Sequence, residues 1–218
     1  MMKVVSLVPI KLNSQRLPHK NILPLAGYPL CWHICNTLNK VIGLDEVYVY
    51  CSDPNIRQYI PEKTKFLKRP ERLDGNLVKG FEIYSEFIKT IDADVYILAH
   101  TTSPFIKLSS LQCSLDHILT GEYDSAFSAQ RFQTFSWYKG KPINYDLNDV
   151  PRTQDLDPIW IETSAFFMFR KEIFTVNHRR IGFNPWIQEV SGIEAIDIDE
   201  KKDYDLACLL AKAEEIGV

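Results

Sequence analysis

Short apolar, β-branched and aromatic runs recur along the chain at Val4–Val8, Val47–Cys51, Val95–Ala99, Ser125–Ala129, Ala165–Phe169 and Ile193–Ile198. Each is bounded by polar or turn residues, which predicts strands. Between them, apolar positions at helical spacing predict helices over Leu30–Leu38, Val78–Ile88 and Leu108–Leu119, with another over Leu206–Ala213. Strands alternating with helices predict βαβ units and a mainly parallel, buried sheet, so the fold class is α/β with three layers. One segment breaks the rhythm. Arg131–Trp160 is rich in aromatics and turn residues without helical periodicity, and reads as an inserted hairpin or loop excursion. It forms a dimer contact, a lid over substrate, or a surface loop anchored by Trp137, Tyr138 and Trp160.

The first strand runs into VPIKLNSQRLPHKN, a loop crowded with cations and small polar groups. It brings Lys11, Asn13, Ser14, Gln15, Arg16, Lys20 and Asn21 to the strand's carboxyl end, where open α/β sheets bind ligands. No Walker loop or GxGxxG is present, so phosphate would be held by side chains. Lys11 and Lys20 supply mobile charges, Ser14 and Asn13 neutral hydrogen bonds, and Arg16 a planar fork.

A second group is Ile196-Asp197-Ile198-Asp199. In an extended strand Asp197 and Asp199 share a face, which suits a magnesium ion completed by water and phosphate oxygens. Alternatively, Asp199 or a neighbour caps the following helix. Two further groups follow predicted strands. Arg69 comes directly after the short strand Lys65–Leu67, and His100-Thr101-Thr102-Ser103-Pro104 follows the central strand.

Composition narrows the partners. At 218 residues, 45% hydrophobic and 24% charged, the chain suits a single globular domain over 1–218. No window carries the ~20 apolar residues of a spanning helix, so a soluble, cytoplasmic protein is expected. The five cysteines are scattered without metal-ligand spacing and read as reduced thiols. A net charge of -3 and a pI near 6.0 argue against nucleic acid as a partner.

Four ordered motifs resemble one family. VPIKLNSQRLPHKNILPLAGYPL, KRPERL, HTTSPF and EAIDIDEKKDYDLA resemble the opening, RPxxL, QPTSPL and IDIDxxxDxxxA segments of the CMP-sialic acid synthetases (acylneuraminate cytidylyltransferases), nearly over the full length. The resemblance implies a Rossmann-like nucleotidyltransferase fold and a dimer. It also implies a Mg2+-dependent transfer of CMP from CTP to an acidic sugar, with release of pyrophosphate, for surface glycan assembly. By position, it implies nucleotide contacts from Lys11, Ser14, Gln15, Arg16, Lys20, Asn21 and Arg69. Catalytic roles fall on Lys11, Lys20 and Asp197, metal binding on Asp197 and Asp199, and acceptor contacts on His100, Thr102, Arg152, Glu162 and Ser164.

This chain departs from the family pattern at several positions. Lys11 replaces an Arg, Gln15 a Lys and His100 a Gln. Trp160-Ile161-Glu162-Thr163-Ser164-Ala165 stands where an Asn-Gly-Ala run follows an Arg, which removes a cation and adds a carboxylate; Arg152 remains as a cation for an anionic acceptor. The alternatives are the same reaction on another ulosonic acid, sugar acid or phosphonate, or a non-catalytic nucleotide-binding regulator.

Overall fold

In the computed structural model, the described residues are 2–12 and 14–216. Seven strands form one sheet: β1 (Val4–Pro9), β2 (Glu46–Cys51), β3 (Lys65–Lys68), β4 (Val95–Ala99), β5 (Ser125–Phe132), β6 (Ile159–Arg170) and β7 (Pro185–Glu189). Their order is β7-β5-β6-β4-β1-β2-β3. Strand β1 pairs in parallel with both β2 and β4, Val5 opposite Glu46 and Tyr96. Strand β6 runs antiparallel to β4 and β5, so the sheet is mainly parallel around one reversed strand.

Alternation along β1 explains the three layers, because successive side chains point to opposite faces. Val4 and Val8 pack with Ile34, Cys35, Leu111 and Leu115 of helices α1 (Leu30–Leu38) and α3 (Leu108–Thr120). Val5 and Leu7 face Ile83 and Phe87 of α2 (Gly80–Thr90), with Ile173 and Phe174 of α4 (Lys171–Thr175) on the same side. A third cluster joins Leu17 of the opening loop to Ile198 and to Ala207 of α5 (Lys201–Ile216). That cluster ties the opening loop to the segment leading into α5.

Three expectations are corrected. Ile193–Ile198 is not a strand: Gly192–Ala195 is a 3-10 turn and the following residues are irregular. The alternation there has another cause, since buried Glu194 turns inward to accept from Lys107 N at 3.0 Å and from the Ser110 hydroxyl, capping α3. The strand at this end of the sheet is instead β7, pairing in parallel with β5. It opens on a proline, which a ladder tolerates at its first residue.

The excursion also has different bounds, because Arg131 and Phe132 still belong to β5, and Ile159 and Trp160 already belong to β6. Both strands extend beyond the sheet as an antiparallel arm, Trp160 opposite Arg131. Finally, Trp137, Tyr138 and Trp160 do not anchor this segment in the core; they are exposed.

Candidate active site

The opening loop closes over the carboxyl ends of β1 and β4. Lys20 is buried there, 8% exposed. Its Nζ donates to Ile198 O at 2.8 Å and to Asp199 Oδ1 at 3.2 Å. Arg16 Nη2 reaches the same Oδ1 at 2.8 Å. Lys20 is therefore a fixed charge rather than a mobile one. One carboxylate oxygen, 183 residues from Arg16 along the chain, ties the loop to the segment before α5.

The helix cap lies elsewhere than on Asp199. Asp203 Oδ2 accepts from Asp199 N at 3.1 Å and Glu200 N at 2.8 Å. Those backbone donors come first among the causes that hold its carboxyl below the usual range. Asp199 is thereby left to the cations. Asp197 does not share a strand face with it, because Ile198 N is hydrogen-bonded to Thr102 O at 2.8 Å on irregular backbone. The two acids remain close enough to interact. Partial desolvation, and then the Asp199 charge, push the Asp197 carboxyl up against the opposing effects of Thr102, Lys20 and His100.

Beneath the loop, Asn21 is buried and connects two elements, its Nδ2 donating to Lys11 O while its Oδ1 accepts from Thr101 Oγ1. Lys11 Nζ donates to Gly75 O at 2.9 Å. Desolvation, followed by the Arg69 charge, lowers the Lys11 pKa. Arg69 itself is completely buried, its Nη2 on Asp74 Oδ1 at 2.6 Å and its Nη1 on Tyr50 O at 3.4 Å. It thus braces the floor near Lys11. Ser14 is half-buried and Gln15 exposed on the same loop, while Asn13 lies outside the described residues.

The other half of the cleft centres on His100. Its Nδ1 bonds Ser164 O, and its backbone N donates to Ala165 O at 3.0 Å. A carbonyl only accepts, so Nδ1 carries the proton. Burial, the leading cause, lowers the His100 pKa, leaving a neutral ring. Ser164 lies at the register break of β6 with φ at 58°.

Glu162, on the arm side of that break, pairs with Arg180 at 3.3 Å. Arg152 is not joined to this group by any ion pair among the described residues other than its own to Asp155, at 2.7 Å on the excursion. Arg180 is the cation that sequence reasoning overlooked. It sits in a polar stretch, HRRIGF, with nothing local to set it apart from an ordinary surface arginine. Gly75 was equally invisible, because its partner Lys11 lies 64 residues away, and Asp74 because its bond to Arg69 depends on the guanidinium being buried.

A cationic loop, two acids and a neutral imidazole thus lie together at the carboxyl edge of an α/β sheet. The chain belongs to the cytidylyltransferase family, whose profile, described as Cytidylyltransferase, matches residues 5–216. It is 20% identical over 215 residues to an N-acylneuraminate cytidylyltransferase of Streptococcus agalactiae serotype III, covering 93% of this chain and 52% of that protein. With the N-acylneuraminate cytidylyltransferase of Oncorhynchus mykiss it shares 24% identity, covering 94% and 49%. The chain thus spans about half the length of these relatives. A solved structure of CMP:2-keto-3-deoxy-manno-octonic acid synthetase complexed with CTP has the same fold, with a TM-score of 0.74 at 17% identity, covering 97% of this chain and 99% of that one. The bifunctional IspDF from Campylobacter jejuni matches with a TM-score of 0.67 at 13% identity, covering 93% and 53%.

Proposed function

We propose that the protein is a magnesium-dependent cytidylyltransferase that transfers CMP from CTP to an acidic sugar of the sialic-acid type, releasing pyrophosphate, in surface glycan biosynthesis. The observation that carries this reading is the convergence of Lys20, Arg16, Asp199 and Asp197 at the carboxyl edge of β1 and β4. Lys20, Arg16 and Lys11, with Ser14 and Gln15, hold the triphosphate by charge and hydrogen bonds. Asn21 and Arg69 act one step back, fixing Lys11 and the loop floor through their own buried partners.

The residues fit a magnesium ion. Among the described residues no cluster of three or more His, Cys, Asp or Glu is arranged to hold a metal, but magnesium keeps water and phosphate oxygens and takes one or two carboxylates from the protein. Asp197 and Asp199 would hold it, being close enough that the Asp199 charge adds to desolvation in pushing the Asp197 carboxyl up. When bound, the ion neutralises charge on the leaving pyrophosphate.

In the transfer, an acceptor hydroxyl oxygen bonds to the α-phosphorus as the bond from that phosphorus to the bridging oxygen breaks. Pyrophosphate leaves with the electron pair, and the hydroxyl proton passes to water. The protein contributes alignment and cationic stabilisation from Lys20 and Lys11. His100, Thr102, Glu162 and Ser164 border the acceptor side.

A second acceptor class, an eight-carbon ulosonic acid, is favoured by two similarities. One is the fold shared with the CMP:2-keto-3-deoxy-manno-octonic acid synthetase. The other is 28% identity over 107 residues to the 3-deoxy-manno-octulosonate cytidylyltransferase of Escherichia coli, covering 49% of this chain. Pyrophosphate release from CTP and Mg2+ with eight- and nine-carbon keto acids and a phosphonate tests the reading. Release with one acid supports it; CTP binding without release from any acceptor sinks it.

The protein acts as a cytoplasmic homodimer. Phe135, Trp137, Tyr138, Leu147, Trp160 and Ile161 are exposed on the arm and excursion, an apolar surface that a second copy would cover.

A further inference from the structure

On the α2 and α4 face of the sheet, Arg180 lays its guanidinium over the buried ring of Phe167, 3.9 Å from the centroid. The same ring meets His100 edge-on, with centroids 6.4 Å apart and planes at 78°. Arg180 also lines a 380 Å³ pocket with Gly80, Phe81, Tyr84 and His178. Its one ion pair among the described residues, Nη2 to Glu162 Oε2 at 3.3 Å, is long and single-pronged, and both side chains are about two-fifths exposed (40% and 43%). Such a pair contributes little to stability, so it exchanges partners at small cost. Stacking on a buried ring, by contrast, fixes the plane of a weakly hydrated guanidinium before any ligand arrives.

We propose that Arg180 is the anion anchor of the acceptor pocket: it releases Glu162 and takes the acceptor's carboxylate in a two-pronged pair, so that Glu162 is the internal competitor that sets selectivity for an acidic acceptor. This rests on the cytidylyl-transfer reading. It gives a role to the carboxylate that Glu162 adds, and it supplies the missing cation from a different segment, through space, instead of from Arg152.

The experiment measures kcat/KM by pyrophosphate release for eight- and nine-carbon keto sugar acids and for their methyl esters, with CTP and Mg2+. Wild type is compared with Arg180→Gln, Arg180→Lys and Glu162→Gln. The acid-to-ester ratio is expected to fall about thirtyfold in Arg180→Gln, as for loss of a two-pronged charged hydrogen bond. Arg180→Lys should recover part of that loss through KM, Glu162→Gln should lower the acid's KM, and the KM for CTP should stay within about threefold. An unchanged ratio in Arg180→Gln, with wild type active, overturns the anchor while leaving cytidylyl transfer intact. A wild type that releases no pyrophosphate with any acceptor overturns both.

Discussion

Ser164 holds φ at 58° at the register break of β6 while its carbonyl accepts from His100. A side chain in the left-handed region costs about 1 kcal/mol relative to glycine, and only the backbone oxygen is needed to orient the imidazole. Ser164→Gly should therefore raise Tm by about 2–4 °C for a chain of this size, which differential scanning calorimetry measures. Asp197 presents the opposite balance of stability and function. Its carboxyl titrates above the usual range in the folded protein, first through desolvation. The folded form thus holds that proton to higher pH than the unfolded chain does, and stability falls as pH rises from the usual carboxylate range through the raised value. Without divalent cations, Asp197→Asn should melt above wild type at neutral pH, and the gap should close below the ordinary carboxylate midpoint. The same variant should lose about a hundredfold or more in kcat; retained turnover would remove Asp197 from the metal site.

Elements with strong periodicity were legible in the sequence. Helix α1 spans the predicted residues and β4 coincides with its apolar run, because both are buried on the face or faces their patterns demand. Around Glu194 the pattern misleads, since Ile193, Ala195, Ile196 and Ile198 surround a carboxylate whose partners lie on α3, 84 residues away for Ser110. Propensity has no access to such a contact. Glu194→Ala should cost about 2–3 kcal/mol, the scale of a buried charged hydrogen bond lost, and Glu194→Gln less, as urea midpoints would show. Strand β7 was hidden for a related reason, being positioned by Asp124, whose Oδ2 accepts from Phe183 N at 2.6 Å and Asn184 N at 3.1 Å. A Cβ on Gly182 would lie 2.1 Å from Asp124 Oδ1. Gly182→Ala should consequently destabilise by about 1–3 kcal/mol and loosen the β5–β7 edge, seen as faster amide exchange there.

At the scale of the whole molecule, the cationic group was legible because its members follow one strand, whereas the group around His100 is assembled from β4, β6 and the segment before β7. Association belongs to this scale too. Sedimentation should give a dimer, and Trp137→Glu with Trp160→Glu should shift it to monomer without loss of helical circular dichroism; a wild-type monomer at micromolar concentration would refute the arm as interface. The grip of Asp199 on Arg16 and Lys20 carries one more consequence. On the cytidylyl-transfer reading, the resting loop already holds a carboxylate against Arg16 and Lys20, so nucleotide entry trades one anion for another on these two cations. Affinity for CTP should then depend on ionic strength less steeply than three free cations would dictate, and Asp199→Ala should turn the empty cleft into a trap for sulfate.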